Sequence, residues 1–320
     1  MERTVLGVDL GGTKLLIGQV NKSGVILRSK QYPSGFLNQE QALRLILLSL
    51  EDYISTVGFV EPYPEVMGLG IVGLVDQSSG KWIMIDPDRK NPISITSILE
   101  ERFQMAVGID NDVKAATQAE LRFGLGQSSK DFIYLNIGTG IAAGFVTDGS
   151  LIRGYQNDSG EVGHLSVDYR SNTPCVCGRF GCVEALASGG GMDRRIKLLG
   201  KRYPESPLLK LAALGFVDAR DIFGLADEGD PLATLIAHDA VDAASELIVN
   251  LVRVTNPELV LLGGGVAGSS WMRRELPKRL HIRVMKTVHK GVQLSQLDPT
   301  VVGLIGAAAV GFTKQDQLSQ

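Results

Sequence analysis

One histidine and three cysteines stand close together in the chain: His164, then Cys175, Cys177 and Cys182. An imidazole and three thiolates are the donor set of a closed tetrahedral zinc site, which leaves no open position for a catalytic water. The loop that carries them holds Asn172, Thr173, Pro174, Gly178 and Gly181 and little apolar content, so metal binding could supply its ordering energy. The plainer alternative is three free thiols and a chance histidine. Glu161 and Glu184 flank the cluster. If His164 gives one ring nitrogen to the metal, the other can hydrogen-bond a hydroxyl, with the metal fixing the ring. The two glutamates can accept from further hydroxyls, or be solvated surface acids.

Two glycine turns carry the next candidates. Asp9-Leu10-Gly11-Gly12-Thr13-Lys14 places a carboxylate at a strand end, then two glycines, a hydroxyl and an ammonium. Glycine lets backbone N–H groups approach a bound anion, and successive amides form a nest for phosphate. Asp9 suits Mg²⁺, held through water. Alone, such a turn is as readily an empty hairpin. Ile137-Gly138-Thr139-Gly140 repeats the arrangement, and a pair of such turns could clamp a polyphosphate. Gly263-Gly264-Gly265 is a third glycine turn, before a helix, where a flat adenine or ribose could lie against bare backbone. The P-loop pattern Gly-x-x-x-x-Gly-Lys-Ser/Thr does not occur.

Asn111 and Asp112 stand at a predicted strand-to-helix junction, a frequent place for ligand groups. An aspartate there can take the proton of a sugar hydroxyl as its oxygen attacks phosphorus. Asn111 offers a donor and an acceptor to a neighbouring hydroxyl. An ordinary N-cap is the competing interpretation for this pair.

These residues need elements to hold them. Val5–Leu10 and Leu15–Val20 read as strands around the first turn, with Val25–Leu27 continuing after a hairpin turn. Leu43, Ile46, Leu47, Leu50 and Ile54 recur at helical spacing between an N-cap at Asn38 and a C-terminal Gly58. Val66–Ile71 is a further strand ending near Gly73. Phe132–Ile137 and Ala142–Val146 repeat the strand, glycine turn, strand sequence of residues 5–24, which predicts two related lobes. Leu232–Val254 is a long periodic helix stopped at Asn256-Pro257, Leu259–Leu262 a strand, and Val301–Val310 a glycine- and alanine-rich helix in close packing. The tail from Lys314 is expected to fray. Basic residues from Arg273 to Lys290 read as one solvated face.

The chain has 320 residues, 44% of them hydrophobic and 21% charged, an ordinary soluble composition with room for two domains. Its net charge of −3 argues against nucleic acid as a partner, since phosphate binding needs clustered positive charge. No long uncharged apolar run predicts a membrane span, and the start shows no secretory pattern. Three clustered cysteines make a poor disulfide framework. The expected compartment is the cytoplasm.

Taken together, Asp9–Lys14, Asn111-Asp112, Gly138-Thr139-Gly140, Glu161–His164, Cys175–Cys182 and Glu184 resemble the ROK family (repressors, open reading frames, sugar kinases). The resemblance runs from about residue 3 to 312 and is most specific between Gly160 and Ser188. It implies an α/β protein with the two-lobed actin-like ATPase (ribonuclease H-like) fold and an interlobe cleft. The small N-terminal lobe would span residues 1–113, completed by 304–320, and the large lobe with the zinc loop residues 114–303. The family implies Asp112 as general base. It implies Gly73, Asn111, Asp112, Glu161, His164 and Glu184 as sugar contacts, and His164, Cys175, Cys177 and Cys182 as zinc ligands. Asp9, Gly11, Gly12, Thr13, Lys14, Gly138 and Thr139 would face phosphate and Mg²⁺, and Gly264 and Gly265 the adenosine.

Two departures from the family pattern stand out. Ile71-Val72-Gly73 has valine where Gly-x-Pro-Gly is usual, and the stretch from Ile85 to Asn91 is charged where an Asn-Leu pair commonly touches sugar. Asp86, Asp88 or Asn91 could replace that contact. The implied activity is transfer of the γ-phosphoryl group of ATP to the 6-hydroxyl of a hexose, with ATP, Mg²⁺ and a structural Zn²⁺. Glucose is favoured, and N-acetylglucosamine or N-acetylmannosamine is the alternative. A sugar-responsive repressor is less favoured, since the phosphate turn begins at residue 9 and leaves no room for a helix-turn-helix. A homodimer or homotetramer is the implied assembly.

Overall fold

The structure, a computed structural model, describes residues 3–12, 14–35, 37–85 and 90–319. The chain forms two compact units, one of Met1–Ser128, Gly149–Ser159 and Gln296–Gln320, the other of Ser129–Asp148 and Gly160–Ser295.

The first unit opens with β1 (Thr4–Leu10), β2 (Lys14–Asn21) and β3 (Ile26–Pro33), then α1 (Gln39–Thr56), β4 (Val66–Ile71), β5 (Leu74–Asp76), β6 (Lys81–Met84), α2 (Ile95–Phe103), β7 (Ala106–Asn111) and α3 (Asp112–Phe123). Its sheet has the order β3-β2-β1-β4-β7. β1 is antiparallel to β2 and parallel to β4, which is parallel to β7. Every residue of β1 is buried, as expected of a central strand covered on both faces. The capping box of α1 forms as its sequence predicts, with Asn38 and Gln41 each bonding the other's backbone N–H. Gly58 follows the last turn with φ +64° and its N–H bonded to Tyr53 O at 2.9 Å.

The second unit begins with β8 (Phe132–Ile137) and β9 (Ile141–Thr147). The chain then returns to the first unit for residues 149–159, which include the two-residue β10 (Ser150–Leu151). The rest of the second unit is α4 (Val183–Ala187), α5 (Gly189–Leu199), α6 (Pro207–Leu214), α7 (Ala219–Asp227), α8 (Pro231–Thr255), β11 (Leu259–Gly263), α9 (Ser270–Arg279), α10 (Ile282–Met285) and β12 (Val292–Leu294). Within this unit the sheet runs β9-β8-β11-β12. β8 is antiparallel to β9 and parallel to β11. The arrangement around the second glycine turn thus repeats that around the first. The long helix α8 starts at the Asp230 cap and ends at Asn256, which takes the left-handed conformation; its apolar face fills the core of this unit.

The chain finishes in the first unit with α11 (Val302–Leu318). One sheet face, built from Leu6, Val8, Leu10, Leu69 and Ile109, packs against α1 and α2. The other face meets α11 across a row of glycines in register: Gly18, Gly7, Gly68 and Gly108 on four adjacent strands. A Cβ at Gly68 would lie 2.0 Å from Ala307 O, and one at Gly7 2.9 Å from Leu304 O. The row therefore permits a helix–sheet approach that no larger residue allows, and it explains part of the glycine excess. The helix does not fray where the sequence suggested. It continues to Leu318 because Arg122 pairs with Asp316 at 3.1 Å and Thr313 bonds Gln118 at 3.2 Å. The boundary expected between residues 113 and 114 falls inside the first turn of α3, and the one at 304 inside α11. Several of the basic residues at 273–290 are paired rather than merely solvated: Arg274 with Asp227 and Glu275, Lys278 with Glu275, and Lys290 with Glu258. No helix among the described residues is long and apolar enough to cross a membrane.

Candidate functional site

In the first unit the candidate residues gather at the C-terminal ends of parallel strands, where open α/β sheets bind ligands. Asp9 stands opposite Gly70 and Gly70 opposite Asp110; Leu10, Ile71 and Asn111 form the next row. Asp9 is 8% exposed. Burial, then the charge of Asp112, push its carboxyl up to about 7, against a smaller downward pull from Lys14. A Cβ on Gly303, in the first turn of α11, would sit 2.2 Å from Asp9 Oδ2, so only glycine fits beside that carboxylate.

Gly11 donates its N–H to Lys14 O at 3.0 Å, closing the turn. Gly12 is exposed, and a Cβ built on it meets nothing within 4 Å. Lys14 Nζ donates to Thr300 O at 2.6 Å, so the ammonium ties down the segment that leads into α11. Thr13 lies outside the described residues, as do Asp86 and Asp88. Asn91 is exposed and its amide reaches Glu40 at 3.4 Å.

Asn111 caps α3. Its Oδ1 accepts from Val113 N at 3.0 Å and Lys114 N at 3.3 Å, and its Nδ2 donates to Gly73 O at 3.1 Å. Both acceptor positions of the side chain are thereby used, and the amide also hydrogen-bonds the Asp112 carboxylate. Gly73 has φ +95°, and a Cβ there would lie 2.2 Å from Met84 O, so the turn requires glycine. Asp112 is the first residue of α3 and accepts from Val113 N at 2.9 Å. Burial raises its carboxyl above the usual range, and the Val113 amide offsets part of that.

Sequence reasoning missed the residue beside this pair. The Asp110 side chain is fully buried and accepts from Asn111 N, Gln118 Nε2, Arg153 Nη1 and Asn157 Nδ2. Its partners lie up to 47 positions away, beyond any local pattern.

In the second unit Gly138, Thr139 and Gly140 join β8 to β9. Gly189 and Gly190, opening α5, donate to Gly138 O and Thr139 O at 2.8 and 3.1 Å. Val266 and Ala267 donate to Ile137 O at 3.0 and 3.2 Å. The turn after β11 is thus bolted to the one after β8, with Gly264 at φ +87° and a virtual Cβ 2.3 Å from Ile137 O. Thr139 and Gly265 are exposed. Glu184 Oε2 accepts from Ile141 N at 3.0 Å and lies within 3.1 Å of a virtual Cβ on both Gly140 and Gly163. Glu161 is exposed and His164 half-buried, on a short 3₁₀ turn.

The metal-type cluster forms as its spacing suggested. The ligand atoms of His164, Cys175, Cys177 and Cys182 all lie within 4.8 Å of one another. His164 Nδ1 is 3.5 Å from Cys175 Sγ, and Cys177 Sγ 3.6 Å from Cys182 Sγ. With metal–ligand bonds of about 2.0–2.3 Å, a tetrahedron has edges of this size. The loop is also organised by its backbone: Cys175 N bonds Arg179 O at 2.8 Å and Gly178 N bonds Cys175 O at 3.0 Å. Burial and the neighbouring sulfurs push the Cys182 thiol up to about 12, a crowding that a bound cation relieves by taking thiolates as ligands. Nδ1 faces the sulfurs, so Nε2 is the ring nitrogen left for another partner.

Known proteins share this architecture. A glucokinase of Thermotoga maritima is 34% identical over 271 residues, covering 82% of each chain. A ROK hexokinase from Thermus thermophilus superposes with a TM-score of 0.78 at 29% identity, covering 98% of this chain and 99% of that one. A ROK family glucokinase from Streptomyces griseus, solved with glucose and AMPPNP, also gives 0.78, at 26% identity over 97% of this chain and 99% of its own. The sequence model of the ROK family matches residues 5–312, nearly the whole length, and the chain belongs to that family.

Proposed function

We propose that the protein transfers the γ-phosphoryl group of ATP to the 6-hydroxyl of a hexose, with glucose as the preferred substrate. The observation that carries this reading is the pairing at the strand ends of the first unit: a half-buried carboxylate, Asp112, opening α3 beside the Asn111 amide, with a buried carboxylate, Asp9, against the first glycine turn. Asp112 takes the proton of the attacking hydroxyl, help worth about 10²–10⁴-fold in rate. Its raised affinity for a proton suits a base that must accept one. The Asn111 amide hydrogen-bonds that carboxylate, and the backbone at Gly73 holds the amide in place.

In the second unit, Glu161, Glu184 and the Nε2 of His164 are chemically suited to sugar hydroxyls. In the first unit the Gly11-Gly12 turn with Lys14 is suited to phosphate; in the second, Gly138 and Thr139 are suited to phosphate and Gly264 and Gly265 to an adenosine. Asp9 is fitted to hold Mg²⁺, because it is a buried carboxylate with a raised proton affinity that Lys14 compensates only in part. Mg²⁺ neutralises the charge of the transferring phosphoryl group when bound. His164, Cys175, Cys177 and Cys182 hold a structural zinc. The names of the relatives support glucose over the N-acetylhexosamines.

A coupled ADP-release assay across glucose, fructose, allose, N-acetylglucosamine and N-acetylmannosamine tests the reading. Glucose should turn over fastest, and Asp112→Asn should lose at least about 10²-fold in turnover with the fold retained. Preference for an N-acetylhexosamine would move the substrate assignment and keep the reaction. Wild-type protein that turns over none of the panel overturns it.

A further inference from the structure

We infer that Arg153 and Asn157 are positioning residues that hold the Asn111–Asp112 turn in its working geometry through Asp110. Asp110 is the last-but-one residue of β7, directly before Asn111, and its side chain is fully buried. Four donors converge on its two oxygens. Oδ1 takes Asn111 N at 2.9 Å and Asn157 Nδ2 at 3.2 Å. Oδ2 takes Arg153 Nη1 at 2.6 Å and Gln118 Nε2 at 2.7 Å. Gln118 lies on α3 and Asn111 on β7, so the one carboxylate fastens strand to helix across the very turn that presents Asp112.

The donors from residues 153 and 157 extend the fastening. Arg153 Nη1 also reaches Asn157 Oδ1 at 3.1 Å, and Asn157 Nδ2 also donates to Val75 O at 3.0 Å. Val75 is two residues beyond Gly73, the acceptor for the Asn111 amide. The network therefore joins the strand-to-helix turn after β7 to the segment after β4 twice, once through Asn111 to Gly73 in the turn and once through Asp110 and Asn157 to Val75 in β5. Asn157 adopts φ +59°, a region few side chains enter and one that persists where surroundings over-determine it. A buried ion pair adds little to stability over an apolar replacement, and its best-attested role is to fix one geometry. Segment 149–159 is part of the first unit, to which this network ties it, although the chain enters it from β9 and returns to the second unit at Gly160.

This inference rests on the sugar-kinase reading, and the experiment separates the two. Steady-state kinetics with glucose and ATP are measured for wild type, Arg153→Ala, Arg153→Lys and Asn157→Gly. Glycine accepts the positive φ, so Asn157→Gly removes the amide without straining the backbone. Arg153→Ala should lower kcat/KM for the sugar by about 10–100-fold, the scale on which small misplacement of a reacting group acts, with KM for ATP unchanged. Arg153→Lys should recover most of the loss. Asn157→Gly should raise the sugar KM several-fold and leave that for ATP alone. A merely structural role would instead lower the active fraction, reducing kcat with both KM values intact. Wild-type sugar kinetics in both Arg153→Ala and Asn157→Gly would overturn the positioning role while leaving the kinase standing. Wild-type protein inactive on every hexose would remove the kinase reading first, and this inference with it.

Discussion

The two glycine turns share a backbone plan and differ in where their charge comes from. Each joins a central strand to an antiparallel partner, each closes with one N–H to carbonyl bond of 3.0 Å, and each central strand has a parallel neighbour on its other side. The first turn is charged from within its own hairpin, by Asp9 at the end of β1 and Lys14 at the start of β2. The second has no Asp, Glu, Lys, Arg or His between Phe132 and Thr147. Its carboxylate is Glu184, brought to Ile141 N from the segment just after the cysteine loop. A duplicated hairpin thus serves two chemistries. In the first, the strand itself sets the carboxylate; in the second, the position of the acid depends on how a distant loop is held.

The largest effect is expected at Asp9, where the first turn's own charge is removed. Asp9→Asn should reduce turnover by about 10²–10³-fold, the scale for losing one preorganised electrostatic group. Stability should move the other way. A carboxyl whose folded value is about 7 against 3.8 unfolded favours the folded chain while protonated. That contribution is complete below about pH 4 and is lost as pH rises through about 7. Wild type without Mg²⁺ should therefore melt lower at pH 8 than at pH 6, whereas Asp9→Asn should lose this dependence and be more stable at pH 8, by up to a few kcal/mol. Melting curves at the two pH values check it; equal pH dependence in the two proteins would show that the first carboxylate is not held against its charge.

A smaller effect is expected at the second turn, and it should arrive from the cysteine loop. Wild type should carry one zinc per chain by elemental analysis. Cys177→Ser should lose it and raise the sugar KM by about tenfold, as when a group orienting a ligand is lost, because His164 and Glu184 both depend on that loop. KM for ATP should change less. Metal-free variant protein with normal sugar binding would detach the loop from the second turn and break the contrast between local and imported charge.

What could be read in the sequence follows the same division. Strand ends, glycine turns, the Asn38 cap and the cysteine spacing are local, because period, capping and ligand spacing are set within one element or loop. The strands Val66–Ile71 and Phe132–Ile137 came out to the residue for that reason. The glycine- and alanine-rich run near Val301 announced close packing, but its partner is a glycine row drawn from four strands, which exists only once the sheet is in register. The Asp110 network was invisible because its members are contributed by β7, α3 and residues 153–157, and none carries a motif. The fraying expected after Lys314 failed on the same ground: a polar tail is held by Arg122 and Gln118, about 195 positions earlier.

The smallest expected effect tests the contrast one methyl group at a time. A Cβ at Gly12 meets nothing within 4 Å, whereas one at Gly140 lies 3.0 Å from Glu184 Oε2. Gly12→Ala should leave folding stability within about 0.5 kcal/mol, and its methyl should be felt only by an approaching anion, as a raised KM for ATP. Gly140→Ala should push on Glu184 and loosen its bond from Ile141 N. Losing part of a charge-assisted bond at a cost of about 1 kcal/mol corresponds to roughly fivefold in sugar KM. The two alanines should therefore separate cleanly, one on the nucleotide and one on the sugar. If Gly140→Ala changed only the nucleotide KM, Glu184 would be a brace for the backbone with no hand in holding the sugar.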